Sequence, residues 1–388
     1  MVTGSKDRIE APRGSWLRRR GHWLRRAGVV MVVPLLWLTW SMSGALTAPG
    51  AAPISTRLAE WAQSHALGPA VSRPEQVQHQ LNQPKIDVSP DGIPSDSVSL
   101  STPNYRPARE RPAPNRRVVL APVPPQAQPS LPSGGWQPLV SVHGKPAILA
   151  EFLRPDAQHA RSPIGVAWLD QKLVRLDLHP GYVVPGGSGW SQPSEVPASE
   201  RDALLATFNS GFKMVDANGG YWQDGRTAVP LRVDAASMVL YKDGHLDVVK
   251  WNATAPGPDV AAVRQNLGML VDHGTISPDV NSTTRTWGNT VGNATFVWRT
   301  ALGIRQDGSL VFVVGSWLSA HTLANVVRDA GAVRAMELDI NQSWTNFITY
   351  THPSKGVAVP HMLTSDEHPN PYRYLQPSPR DFVAILAR

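Results

Sequence analysis

The chain has 388 residues, 41% of them hydrophobic, with no cysteine and a formal net charge of +7. That length suits one large domain or two small ones, and the missing thiols exclude disulfides and Cys-ligated metal centres. The basic balance is not a nucleic-acid footprint, because residues 1–26 alone hold eight Lys and Arg against two acids and the rest of the chain is close to neutral.

In chain order, the basic tail 1–26 runs into AGVVMVVPLLWLTWSMSGALTA (27–48), which has no charge and carries Trp37 and Trp40 in its outer half. About 20 apolar residues span a bilayer, and a proline such as Pro34 is tolerated there. A basic flank places the tail in the cytoplasm and the remainder outside. The favoured expectation is a single-pass cell-membrane anchor with an extracytoplasmic C-terminal domain. A cleaved secretory signal is the competing reading. Arg19-Arg20 could open a twin-arginine signal, but His22-Trp23 departs from that pattern, and Ala48-Pro49 is a poor cleavage site.

Ile54, Leu58, Trp61 and His65 stand at helical spacing and predict a short juxtamembrane helix, with or without a docking partner. Residues 69–138 then include fifteen prolines among Ser, Gln and Asn. The segment 49–135 is therefore expected to be this helix followed by a semi-rigid Pro-rich linker.

The globular part is expected over 136–388 and is written mainly in hairpins. LVSVHGKPAILAEFL (139–153), GVAWLDQKLVRLDL (165–178), MVLYKDGHLDVV (238–249) and TALGIRQDGSLVFVVG (300–315) each place two apolar runs around a short polar turn, two of them Asp-Gly. Helical spacing is read in DVAAVRQNLGMLV (259–271) and in HTLANVVRDAG (321–331), where Leu323, Val326, Val327 and Ala330 form one face and Gly331 the stop. The fold class is α+β: a hairpin-rich mixed sheet with a few helices.

If AVRAMELDIN is a strand, Val333, Ala335, Glu337, Asp339 and Asn341 share a face that begins apolar and ends polar. Two carboxyl groups so placed could lie roughly 5–9 Å apart, the spacing at which acid pairs cleave glycosidic bonds. Their proximity would drive their pKa values apart. The alternative is an acidic strand end that binds backbone amides or a neighbouring arginine. Arg299 is suited to gripping phosphate oxygens in pairs, or to a salt bridge with Glu337 or Asp339. Asn209 ends an apolar run and either contacts a sugar hydroxyl or caps its own turn, and Lys213 adds a phosphate contact or is simply solvated. The histidines (His245, His273, His321, His352, His361, His368) are scattered singly, so no metal and no other cofactor is expected. Ser210 and Ser343 lack a nucleophile-elbow setting. Asn252, Asn281, Asn293 and Asn341 each begin an Asn-x-Ser/Thr triplet, which matters only in a glycosylating host.

Three stretches, LLATFNSGFKM (204–214), WRTALGIRQDGSLVFVV (298–314) and HTLANVVRDAGAVRAMELDINQS (321–343), together resemble the phosphodiester glycosidase family, over about residues 200–345. Asn209, Gly211 and Phe212 keep its first motif, with Lys213 in place of an aromatic. Arg299, Thr300, Ala301 and Gly303 keep the second. In the third, Leu338, Asp339 and Ser343 remain, but Glu337 replaces an Asn, and Ile340, Asn341 and Gln342 replace three glycines, which implies a different loop path. The resemblance implies hydrolysis of a sugar 1-phosphodiester in an envelope polysaccharide or its precursor. Asp339 and Glu337 would be catalytic, and Arg299, Asn209, Gly211, Asn341, Lys213 and Ser343 would bind substrate. A glycan-binding module that kept the fold without the chemistry is the second expectation. The expected partners are the membrane and a phosphate-containing glycan.

Overall fold

The computed structural model describes residues 37, 39–47, 54, 57, 58, 61, 136–153, 163–281, 286–290, 294–364, 367 and 370–388. The chain divides into two compact units, residues 1–48 with 53–71, and residues 49–52 with 72–388. In the first unit Trp37, residues 39–47, Ile54, Arg57, Leu58 and Trp61 are helical. Trp61 Nε1 donates to Ser41 Oγ at 3.0 Å and Arg57 Nη1 to the Leu46 carbonyl at 3.2 Å, so the two helical stretches touch. Most of the expected anchor 27–48 and all of the Pro-rich linker lie outside the described residues. Among the described residues no helix is long and apolar enough to cross a membrane.

Among its described residues the second unit is built on three sheets in which every strand pair is antiparallel, where the sequence suggested a mixed sheet. In chain order the strands are β1 (Gln137–Val142), β2 (Lys145–Leu153), β3 (Ile164–Leu169), β4 (Val174–His179), β5 (Leu204–Asn209) and β6 (Tyr221–Gln223). Next come β7 (Arg226–Val229), β8 (Ala236–Tyr241), β9 (Leu246–Lys250), β10 (Val260–Gln265), β11 (Met269–Asp272) and β12 (Thr275–Ile276). The last six are β13 (Val297–Arg305), β14 (Leu310–Leu318), β15 (Ala332–Glu337), β16 (Phe347–Ser354), β17 (Val357–Met362) and β18 (Phe382–Ala387), with helix α1 (Ala320–Asp329) between β14 and β15. The sheet orders are β1-β2-β3-β14-β13-β15-β11-β12, β7-β6-β10-β8-β9 and β17-β16-β5-β18-β4.

Both faces of the central strands are covered, which is why they read as nearly continuous apolar runs. On β14, Leu310, Phe312 and Val314 enter a core shared with β4, β5, β8 and β18, while Val311 and Val313 face a second core around α1. β18 alternates in the same way: Val383 and Ile385 face the shared core, and Phe382, Ala384 and Leu386 an outer cluster with Tyr350 and Tyr374. Helix α1 begins where the Ser319 side chain accepts from Thr322 N and buries Leu323, Val326 and Val327 as expected. It lies close against β13 because position 303 is glycine. A Cβ there would come within 2.6 Å of Ala332 Cβ and 3.0 Å of Val327.

Three of the four expected hairpins form: β1–β2, β8–β9 and β13–β14. The stretch 165–178 does not, since β3 pairs with β2 and β14 while β4 pairs with β18 in another sheet. The predicted helix at 259–271 is instead β10 and β11. A bulge shifts the register between Val260 and Ala262 and breaks the two-residue alternation. With both sides buried, its apolar spacing imitates a helical face.

Candidate active site

Glu337 is the last residue of β15 and lies opposite Ala301 of β13. Alternation turns it to the side of Ala335 and Ala301, towards the α1 core, while Met336 and Leu338 face the shared core. Arg299, two residues before Ala301, points the same way. Its Nη1 donates to Glu337 Oε1 at 2.5 Å and to the Trp287 carbonyl at 3.0 Å, and its Nε donates to the Leu318 carbonyl at 2.9 Å. Glu337 is fully buried and its Oε2 has no hydrogen-bond partner among the described residues. Burial pushes this carboxyl up to about 7 although Arg299 pulls it down. The expectations for Arg299 are a phosphate grip or a salt bridge with Glu337 or Asp339, and its fork is directed at the Glu337 carboxylate and two carbonyls.

After Glu337 the chain leaves the sheet, so the shared face expected for Glu337, Asp339 and Asn341 does not extend past Glu337. Thr300 fastens the exit: its carbonyl accepts from Leu338 N, its amide donates to the Asp339 carbonyl, and its Oγ1 accepts from Asp339 N at 3.0 Å. Asp339 Oδ1 accepts from Ile340 N and Asn341 N at 2.7 and 2.9 Å, and Oδ2 accepts from Arg380 Nη2 at 2.7 Å. Burial raises the Asp339 carboxyl, against the pull of Arg380 and the two amides. Asn341 is exposed. Its Oδ1 accepts from Ser343 N, and its carbonyl accepts from Trp344 N and Thr345 N. Two successive side-chain-capped turns thus stand where the resembled family has glycines. The two acids come together at one strand end, yet each is held by its own arginine.

The remaining expected residues frame this loop. Asn209 donates from Nδ2 to Thr300 Oγ1 and to the Ser210 carbonyl, both at 2.9 Å, and accepts at Oδ1 from Asn346 N at 3.0 Å. It ties β5 to β13 and to the loop before β16. Gly211 is required by a close approach, since a Cβ there would lie 2.8 Å from Asn266 Oδ1; its carbonyl accepts from Arg380 Nη2. Lys213 is half-buried in a turn whose carbonyl accepts from Asp216 N and Ala217 N. Ser343 is half-buried and its carbonyl accepts from Arg373 Nη2 at 2.7 Å.

Sequence reasoning missed Arg264, Asn266, Asn346, Arg380 and Asp381. Asn266 Nδ2 donates to the carbonyls of Glu337 and Leu338, both at 2.9 Å, and its Oδ1 accepts from Phe212 N at 3.0 Å. It clamps the first motif to the third. Arg264 Nε donates to Asp381 Oδ2 at 2.7 Å, and its Nη2 to the Phe212 carbonyl. The one available signal was the polar pair Arg380-Asp381 directly before the apolar run of β18. Two bulky residues hold left-handed backbone beside this machinery: Leu267, next to Asn266, at φ 53°, and Trp317, next to Leu318, at φ 58°. Such outliers persist where surrounding contacts over-determine them.

The chemistry available is acid/base exchange at Glu337 within a cationic field. Arg264, Arg299, Arg373 and Arg380 are all buried here. Arg373 and Arg380 lie over the Trp344 ring at 4.6 and 5.2 Å. Against these four guanidiniums stand Glu337, Asp339 and Asp381 among the described residues. No group of three or more His, Cys, Asp or Glu that could hold a metal ion occurs among the described residues.

Residues 203–360 match the family model of phosphodiester glycosidases. Among solved structures, the chain is similar to a hypothetical protein from Synechocystis, at 11% identity and a TM-score of 0.35 over 65% of this chain and 64% of that one. It is also similar to a putative exported protein from Burkholderia pseudomallei K96243, at 13% identity and a TM-score of 0.29 over 58% of this chain and 74% of that one. The chain thus spans just under two thirds of the Synechocystis protein. No curated protein matches.

Proposed function

Since the chain carries a phosphodiester glycosidase domain, matched over residues 203–360, we propose that it hydrolyses a sugar 1-phosphodiester with Glu337 as general base. The observation that carries this is Glu337 itself: one oxygen fixed by Arg299, the other buried without a partner among the described residues, and a carboxyl raised to about 7 by burial. A phosphate monoester is a good leaving group, so the chemical demand falls on the attacking water. A carboxylate whose pKa lies near the working pH is suited to remove its proton. Glu337 Oε2 would take that proton as the water oxygen bonds to the anomeric carbon, and the carbon–oxygen bond to phosphate breaks with its electron pair going to the phosphate. The buried guanidiniums favour the departing anion. Asp339 holds Arg380 and the loop, and Asn209 and Asn266 hold the strand ends in register.

The proposal extends to location and substrate: an envelope polysaccharide or its precursor, met outside the cell membrane by a domain on an N-terminal anchor and Pro-rich stalk. Its support is the basic leader, the uncharged run 27–48 and the proline density of the linker. Turnover of glucose 1-(methyl phosphate) by the full chain in water labelled with heavy oxygen tests the chemistry. Label in the sugar supports glycosidic cleavage; label in the phosphate, or no turnover, removes it. One observation favours a second reading: both acids are enclosed and arginine-bound. A glycan-binding module would then show saturable binding without turnover.

A further inference from the structure

Where β16, β5 and β18 reach the site, one row of residues crosses the end of their sheet. Phe347 is opposite Phe208, and Phe382 is opposite Asn209. Continuing these antiparallel registers brings Thr345 and Asp381 to either side of Ser210, and the hydrogen bond from Ser210 N to the Asp381 carbonyl at 3.3 Å extends the second pairing. Cross-strand neighbours point to the same face. All three residues are buried, at 0%, 1% and 2% exposure for Thr345, Ser210 and Asp381. Among the described residues, Thr345 Oγ1, Ser210 Oγ and Asp381 Oδ1 each lack a hydrogen-bond partner. An orphaned buried oxygen carries a desolvation penalty that nothing in the fold offsets. Three in a single row mark a place meant to be filled.

The donor set selects the occupant. Asp381 Oδ1 only accepts and repels an anion. A metal ion would sit against the Arg264 guanidinium, which is already 2.7 Å from the other oxygen of Asp381. A neutral hydroxyl fits, because it can donate to Asp381 while accepting from Ser210 or Thr345. The row also lies near solvent: Thr345 N donates to the carbonyl of exposed Asn341 at 3.0 Å, one turn away. Resting on the proposed hydrolysis, we infer that Thr345, Ser210 and Asp381 form the subsite for hydroxyl groups of the sugar, beside the arginines that favour its phosphate. A resident water has the same chemistry, so sugar and water are the two sources to separate.

Thr345→Val and Ser210→Ala in the full chain, titrated calorimetrically with glucose 1-phosphate and with inorganic phosphate, provide the test. Each variant is expected to weaken glucose 1-phosphate binding about fivefold to tenfold, the scale of one hydrogen bond. Phosphate affinity should stay at the wild-type value and the melting temperature should not fall, because among the described residues the deleted hydroxyl has no hydrogen-bond partner to lose and its burial is itself a cost. Unchanged glucose 1-phosphate affinity in both variants assigns the row to water and overturns the inference, while wild-type turnover of the phosphodiester would leave the proposed hydrolysis standing. Equal loss for both ligands also overturns it, since the row would then act on the whole site. If wild type neither binds glucose 1-phosphate nor turns over the diester, inference and proposed function fall together.

Discussion

Glu337 and Asp339 are two residues apart and differ in what their oxygens touch, which gives them different mutational signatures. Among the described residues Glu337 keeps one oxygen without a partner, and burial pushes its carboxyl up to about 7. Acting as a base, it works when ionised, so kcat/KM should climb as pH rises through about 7 and level off above. Glu337→Gln removes the titrating group, and turnover is expected to fall at least ~100-fold, with the inflection lost, the scale for a positioned acid or base. Steady-state rates from pH 5 to 9 check this, and a surviving inflection in the variant would assign it to another group. Asp339 has both oxygens engaged. In Asp339→Asn the carbonyl can still accept the two amides, but the new NH2 faces Arg380 and leaves that guanidinium buried without its anion. Removing one partner of a buried pair costs about 3–5 kcal/mol. The expected result is a large drop in the denaturation midpoint; a wild-type midpoint with lost turnover would restore Asp339 to a catalytic role.

At the scale of elements, what was legible in the sequence is what neighbouring residues determine. Lys242-Asp243-Gly244-His245 forms its turn because Gly244 takes φ 80° and Asp243 Oδ1 accepts from His245 N, both local properties of Asp-Gly. Helix α1 was legible for the same reason, through its apolar spacing and Gly331, which takes φ 96°; the Ser319 cap at its start is what the structure adds. Replacing that cap by alanine should therefore cost about 1 kcal/mol, measured as a shift in urea midpoint at constant slope; no shift would mean the helix end is held by packing alone. The separation of β3 from β4 was not legible, because nothing in 165–178 records that their partners are β14 and β18. The site divides along the same line. Asn209, Gly211, Arg299, Glu337 and Asp339 sit inside contiguous motifs, whereas Arg380 reaches Asp339 across 41 positions and Arg264 reaches Asp381 across 117. Such pairings exist only once three sheets have assembled.

For the whole molecule, the buried titrating groups combine into a pH dependence of stability. Burial raises Glu337 from 4.5 to about 7 and Glu367 from 4.5 to about 8. In each case the folded chain holds a proton that the unfolded chain has lost, so stability is fully present below the unfolded value of 4.5 and is lost as pH rises through 7 and 8. Burial lowers His179 from 6.5 to about 4. Its neutral ring, stacked on Phe382 with centroids 4.7 Å apart, contributes stability above 6.5 that is lost as pH falls through 4. Between about 4.5 and 6.5 the two glutamates outweigh the one histidine. Between about 6.5 and 7 nothing opposes them, and stability falls most steeply there. The maximum is therefore expected in acidic solution near pH 4.5, with a lower melting temperature at pH 8, the reverse of a protein governed by ionised surface carboxylates. Glu367 gives the sharper test because it lies outside the proposed chemistry, its carboxyl binding, among the described residues, Phe347 N and the amide and hydroxyl of Thr364. Glu367→Gln keeps an acceptor for those groups and no longer titrates, so the fall in melting temperature between pH 6 and pH 8 should shrink. A fall of wild-type size in this variant would remove Glu367 from the linkage, and a wild-type protein more stable at pH 8 than at pH 5 would remove the linkage itself.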